Sequence, residues 1–262
     1  MKIKSTISLL SLSFLVATST MAGTNESQSV ARIFSSTQTV LNAESSASEV
    51  LEACRNMLPR SKMKLEGSII LRNRKGIAQN EYDYTLWMNR SNPMETMRII
   101  LTPRGETNEL AEVTVSKTPD WQSQIWMSEK GSKEAKPVPS LLSKVMDTDV
   151  TWLDLTLDFL WWANPVFEEE RETETVHGQR CAVILVAPPK PIEGMAAVRL
   201  WADKKTGCLM QAEQLDPQMN PMRRLWGTRV KKFGERWMAN VLEVETLGSG
   251  HRTKITVDSL KE

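Results

Sequence analysis

Two hydrophobic periods divide the chain. Over 47–58 the apolar residues Ala47, Val50, Leu51, Cys54, Met57 and Leu58 recur at helical spacing, with Ser46 or Ser48 placed to cap the helix and Pro59 to end it. From residue 63 the period falls to two. Segments 64–71, 81–88, 95–101, 110–116 and 122–127 are predicted strands, punctuated by Arg74-Lys75-Gly76, Ser91-Asn92-Pro93, Pro103-Arg104-Gly105 and Thr118-Pro119-Asp120. The alternation resumes at 173–176, 181–187, 196–203, 209–215, 222–233, 237–246 and 253–260. Turns at His177-Gly178, Pro188-Pro189, Thr206-Gly207, 217–221, Phe233-Gly234 and Gly248-Ser249-Gly250 separate these. The short spacings predict antiparallel hairpins, and no alternation of strand with helix is present.

The middle breaks the pattern. A polar, proline-containing loop at 134–139 and a short apolar stretch at 141–146 lead into DTDVTWLDLTLDFLWWANP, residues 147–165. Read as a helix or helix pair, Trp152, Leu155, Phe159 and Trp162 form one stripe, flanked by Leu153, Leu157, Leu160 and Trp161. Asp154 and Asp158, four residues apart, then lie opposite, as a solvated face or a carboxylate pair. This apolar face is wider than a surface helix needs.

About twelve antiparallel strands are too many for one flat sheet. The expected class is therefore mainly β (α+β): a strongly curved antiparallel sheet or incomplete β-barrel, with an N-terminal helix and a central Trp-rich helical lid over its concave face. One alternation turns Tyr82, Tyr84, Leu86, Met88, Val198, Leu200, Met238, Leu242 and Val244 toward the lid residues Trp152, Leu155, Phe159 and Trp162. The other turns Trp87, Trp201 and Trp237 inward, and both stay open, because a one-residue shift exchanges the faces.

The first residues carry an address. Lys2 and Lys4 precede an eleven-residue apolar run, 7–17, and small residues Thr20 and Ala22 mark a cleavage site. Residues 1–22 read as a signal peptide too short for a comfortable membrane span. No cysteine follows the cleavage site, so no lipid anchor is expected. Residues 23–45 are rich in Ser, Thr and Asn and read as a flexible mature N-terminus, and 46–262 as one domain. The expected compartment is a bacterial periplasm, in which the sequons at Asn25 and Asn89 carry no sugar.

Composition narrows the chemistry. Lys plus Arg is 33 and Asp plus Glu 32, dispersed along the chain, which leaves no field for nucleic acid. Nine Trp against two Tyr, with 14 Met, supply large adaptable apolar surfaces suited to a core or a greasy ligand. The charge runs 168–172 and Arg223-Arg224 read as solvated. Cys181 and Cys208 lie at the edges of neighbouring strands, where a disulfide or buried thiols are both open, and Cys54 sits on a helical face as a buried thiol. His177 and His251 stand beside glycines in turns, and Gly248-Ser249-Gly250-His251 reads as a hairpin turn rather than a nucleophile site. Asp147-Thr148-Asp149-Val150-Thr151 matches the D-x-D-x-T nucleophile pattern of haloacid-dehalogenase-type phosphatases. That pattern belongs at the end of a buried parallel strand, whereas here it precedes a helix that Asp149 or Thr151 would cap. No metal, cofactor or catalysed reaction is expected.

The segment Asp149 to Leu155, His177-Gly178 leading through Cys181 into a strand, and Arg199-Leu200-Trp201-Ala202-Asp203 with Thr206-Gly207 together resemble the outer-membrane lipoprotein-sorting, LolA-like family over about residues 45–260. The resemblance implies an incomplete barrel with a helical lid over a hydrophobic cavity. It implies a soluble periplasmic carrier for acyl chains of lipoproteins or lipids, peripheral at most to the membrane, with inner- and outer-membrane partner proteins. Members of the fold also sense envelope stress, the alternative function; a phosphatase at Asp147 and Asp149 is the third.

Overall fold

In the computed structural model, the first strand lies in the middle of the sheet. Residues 41–261 are described apart from 43, 59–61, 91–94, 119–121, 130, 133, 170 and 234–235. The signal peptide, residues 23–40, Pro59 and the turns at 91–93 and 119–120 lie outside the described residues, as do the sequon at Asn25, Gly234 and the side chain of Trp237.

Helix α1 (Ala47–Asn56) opens on a capping box. Ser46 accepts from the Glu49 amide, and the Glu49 carboxylate accepts from the Ser46 amide at 2.7 Å. That carboxyl is held below its ordinary pKa by these bonds. The first meander follows: β1 (Met63–Arg72), β2 (Ala78–Asn89), β3 (Thr96–Pro103), β4 (Ala111–Lys117), β5 (Ser123–Glu129) and β6 (Lys136–Pro137). A connecting segment holds α2 (Trp152–Thr156) and a 3-10 helix (Asp158–Trp161). The second meander comprises β7 (Val166–Phe167), β8 (Thr173–Val176), β9 (Gln179–Val186), β10 (Ala197–Asp203), β11 (Leu209–Leu215), β12 (Pro221–Phe233), β13 (Arg236–Thr246) and β14 (Arg252–Lys261). All twelve predicted strands form. The two-residue strands β6 and β7 were not predicted, because two residues carry no period.

Among the described residues these strands make one antiparallel sheet, ordered β6-β5-β4-β3-β2-β1-β14-β13-β12-β11-β10-β9-β7, with β8 also paired to β9. The first meander runs from the middle to one edge. The second runs from the other edge back to the middle, where β14 pairs β1. The segment between β6 and β7 must therefore cross from edge to edge, and this topology makes it a lid.

The sheet is open but strongly curved. One buried cluster includes Val113 on β4 and Ile184 on β9, strands about 40 Å apart across a flat sheet. Register shifts in the β1–β14, β1–β2, β10–β11, β11–β12 and β12–β13 pairings supply bends. At one of them Gly67 lets β14 approach so closely that a Cβ would overlap the Thr256 carbonyl, which accepts from Tyr84 Oη at 2.8 Å. Helix α1 packs on the β9–β10 side and against the 3-10 helix. The turn at Gly207 (φ 72°) rests on Ala53.

The concave face is the first of the two alternations. Tyr84, Val198, Leu200 and Val244 are buried in the main cluster with Trp152, Phe159 and Trp162, and Leu86, Met88, Met238 and Leu242 pack against it. Trp87 and Trp201 face outward. Trp87 stacks with Lys64 and Arg98, and Trp201 packs on Cys181 and Val183 while its Nε1 donates to Glu174 at 2.8 Å.

Candidate binding site

The lid is two short helices with a sharp joint. A tight turn, in which the Val145 amide donates to the Val150 carbonyl at 2.7 Å, places the Asp147–Asp149 stretch. Thr151 then caps α2, its side chain accepting from the Asp154 amide while Asp154 accepts back at 2.8 Å. The helix stops at Leu157, which is left-handed (φ 52°, ψ 34°), and the 3-10 helix begins there. The expected continuous stripe is thus broken. Trp152, Phe159 and Trp162 are buried and Leu155 is only half-buried.

The same joint overturns the expected solvated face. Asp154 and Asp158 are both buried, and they point to opposite halves of the sheet. Asp154 accepts from Gln214 Nε2 at 2.8 Å on β11 and from Arg223 Nη2 at 2.9 Å on β12. Arg223 also donates to the Asp149 carbonyl and to Thr246 Oγ1 at 2.7 Å. Asp158 pairs with Lys117 on β4 and accepts from Ser123 on β5, from the amide at 3.0 Å and the hydroxyl at 2.6 Å. Around Lys117 lie Trp161, with the ammonium 4.6 Å from the ring centroid, and the buried pair Arg90–Glu95 at 2.7 Å. Arg90 covers Trp161 as well, at 5.3 Å. Burial lowers the Lys117 pKa against the pull of Asp158, and raises that of Glu95 against Arg90 and Lys117.

A cavity of about 420 Å³ lies at the Asp158 end, between β5, the 137–141 strand-and-loop segment and the β9–β10 loop. Its apolar walls are Ile125, Trp126, Val138, Leu141, Trp162 and Ile192; prolines 137, 139, 188, 189 and 191 stiffen it, and Asp158 and Ser123 give a polar corner. Of the lid and sheet residues expected to line a cavity, Trp162 alone lines it, joined by Asp158. Trp152, Phe159, Val198, Leu200 and Val244 fill the concave face instead. The residues sequence reasoning missed sit in the loops 137–141 and 188–192, where Pro-Val-Pro and Pro-Pro-Lys-Pro were the available signal. Tyr82, also half-buried, lies by Asp147, and burial, with that charge adding to it, lifts the phenol pKa.

The remaining expectations divide. Of the two open readings of Cys181 and Cys208, the structure has free thiols. Cys181 faces the outer cluster with Trp201, and burial pushes its pKa up to about 12 and that of Cys208 to about 11. Cys54 is a buried free thiol, as expected. Arg223 is buried at the lid rather than solvated, and Glu168 binds Arg199 through two bonds of 2.6 Å. Asp147 and Asp149 sit in a turn beside an antiparallel sheet, without the parallel strand the phosphatase pattern requires; Thr151 is the cap. Ser249 and His251 bond within their own hairpin turn. Among the described residues no group of His, Cys, Asp or Glu is arranged to hold a metal ion, and no helix is long and apolar enough to cross a membrane.

A family model described as "Uncharacterized protein" matches residues 106–261, more than half of the chain. A DUF1329 family protein from Desulfovibrio piger superposes with a TM-score of 0.70 at 16% identity, over 82% of this chain and 91% of that one. An outer membrane lipoprotein-sorting protein domain from Vibrio parahaemolyticus gives 0.69 at 16%, over 82% and 92%. The chain belongs to the family of the model that matches 106–261, and its fold is LolA-like. A LolA superfamily protein from Nitrosomonas europaea agrees, with a TM-score of 0.63 at 13% identity over 83% of this chain and 93% of that one. No curated protein matches the chain in sequence. Within this LolA-like fold the motif residues are structural. Arg199 bridges Glu168 and Glu213, and Asp203 accepts from Thr206 Oγ1 at 2.6 Å to shape the hairpin on α1.

Proposed function

We propose that the protein is a periplasmic carrier that takes an acyl chain of a lipoprotein or lipid between its curved sheet and its lid, catalysing no reaction. The cavity at the Asp158 end carries this reading. It has the size of small-ligand sites, apolar walls and one polar corner. Lifting the 3-10 helix would extend it into the concave face by uncovering Phe159, Leu160 and Trp162. Each buried methylene of a chain contributes about 0.8 kcal/mol, so affinity needs no polar contact, and Trp and Met side chains adapt to different chain positions. Opening would be driven by partners at the inner and outer membranes that bind the open state better. The fold of the Vibrio domain and the signal-peptide pattern support the same role.

The test is native mass spectrometry of protein purified from periplasm, with extraction of bound lipid, alongside quenching of Trp fluorescence by a brominated acyl peptide. Expected are a lipid adduct and quenching that Val138→Trp, which fills the cavity, abolishes. Lipid-free protein with no quenching would sink the reading.

A further inference from the structure

We propose that the outward face of the first meander, at the end nearest the cavity, docks on an anionic phospholipid surface. The strand register aligns Lys261, Lys64, Trp87, Arg98, Thr114 and Trp126 as one row across β14, β1, β2, β3, β4 and β5. Cross-strand partners share a face, and the adjacent Leu65, Ile99 and Ile125 point into the core, so this row points outward. The Trp87 ring lies between Lys64 (5.5 Å) and Arg98 (4.9 Å), and Trp126 is 43% exposed.

Charge is segregated along the strands. The row itself holds cations and no acid. The next row toward the strand ends beside the cavity is Asn89, Thr96, Ser116 and Gln124, all uncharged, and Lys62 is exposed beyond β1. Carboxylates begin one row away from this end, where Glu66 pairs with Lys64 and Glu112 with Arg98. The second meander differs: Arg199, Glu213, Arg224, Glu245 and Arg252 alternate in sign within one row, so no rim of one sign forms there. A rim of cations backed by acids, with tryptophans among them, matches a phosphodiester surface: ammonium and guanidinium groups meet phosphate while indoles settle at headgroup depth. Trp126 belongs both to this row and to the cavity wall, so docking would set the cavity mouth against lipid.

The inference stands apart from the carrier reading. Its test is flotation of the full protein with vesicles of phosphatidylcholine alone or with about one-third phosphatidylglycerol. Expected is partition onto the anionic vesicles only, weakened by salt. Each lost cation should weaken it about fivefold, so Lys64→Gln with Arg98→Gln should weaken it some 25-fold. Trp126→Ala should also weaken it, while Arg252→Gln on the alternating row changes it less than about twofold. Val138→Trp blocks the cavity and should leave partition intact, which separates failure of this proposal from failure of the carrier reading. Equal partition onto both vesicles, none onto either, or undiminished partition of the double variant would overturn it. So would a photo-crosslinker at Thr114 that captures an envelope protein while vesicles capture nothing.

Discussion

The two ends of the lid are each held by a buried aspartate, yet they are built on different terms. At the α2 end, Asp154 is shared among the Thr151 cap, Gln214 and Arg223, and Arg223 has two further acceptors. Losing one bond there leaves others. At the 3-10 end, Asp158 also accepts two bonds from Ser123, but its charge partner is Lys117, a point charge whose nearest other anion, Glu95, is already paired with Arg90. That end also adjoins the cavity. A guanidinium with spare acceptors at one end and a desolvated point-charge pair beside a void at the other are what a hinge and a latch require. In the carrier reading, α2 stays and the 3-10 helix lifts.

Removing each acid tests this ranking most severely. Asp158→Ala leaves a buried ammonium without its partner and is expected to cost about 3–5 kcal/mol in urea unfolding. Replacing both members, Lys117→Met with Asp158→Leu, should recover most of that loss, because the desolvation cost of the pair disappears with it. Asp154→Ala should cost less, about 2–3 kcal/mol, from the lost cap and hydrogen bonds to a guanidinium that keeps two acceptors. A larger loss at Asp154 than at Asp158 would break the comparison.

A smaller effect distinguishes the ends by pH. Burial lifts the Glu95 carboxyl above its ordinary pKa, so the folded state holds that proton more tightly than the unfolded chain does. The resulting stability is fully present below the ordinary carboxylate range and is lost as pH rises through the raised folded value. Lys117 is shifted the other way: its lowered folded pKa contributes stability present above the ordinary lysine range and lost as pH falls through the folded value. Subtracting the urea-midpoint profile of Glu95→Gln from that of the wild type should leave a fall as pH climbs from the carboxylate range toward neutrality. A flat difference would mean that the latch end is hydrated.

The strands were legible because alternation against a single core face is a long, repeated signal. Twelve of them, their antiparallel pairing and the curvature all followed from it. The lid was legible in composition and illegible in shape. A stripe at helical spacing assumes unbroken helix, and one left-handed residue, Leu157, cancels that assumption and sends Asp154 and Asp158 to different partners. Nothing local marks Leu157, since leucine pays for positive φ where glycine or asparagine does not. Lys117 and Arg223 were hidden for a related reason: each follows the inward period of its own strand, after Val113 and Val115 or before Leu225, and only the tertiary arrival of the lid acids explains a charge there. The cavity escaped because half of its wall comes from the proline-rich loops 137–141 and 188–192, which have no period.

The joint itself supplies the finest test. Leu157→Gly relieves a left-handed conformation worth about 1–2 kcal/mol. It also forfeits part of the burial of a leucine that packs against the main core, a side chain worth about 1.5–3 kcal/mol when fully buried, and it adds chain entropy to the unfolded state. These terms nearly offset, so the expected change is a loss within about 1 kcal/mol. Hydrogen exchange is the more telling readout. The Leu155 amide donates to Thr151 within α2, whereas the Leu160 amide donates to Leu157 across the joint. A hinge at α2 and a latch at the 3-10 helix predict faster exchange at Leu160 in the glycine variant, with Leu155 unchanged. Equal acceleration at both would mean that the lid moves as one piece, and the two ends would then differ in strength without differing in role.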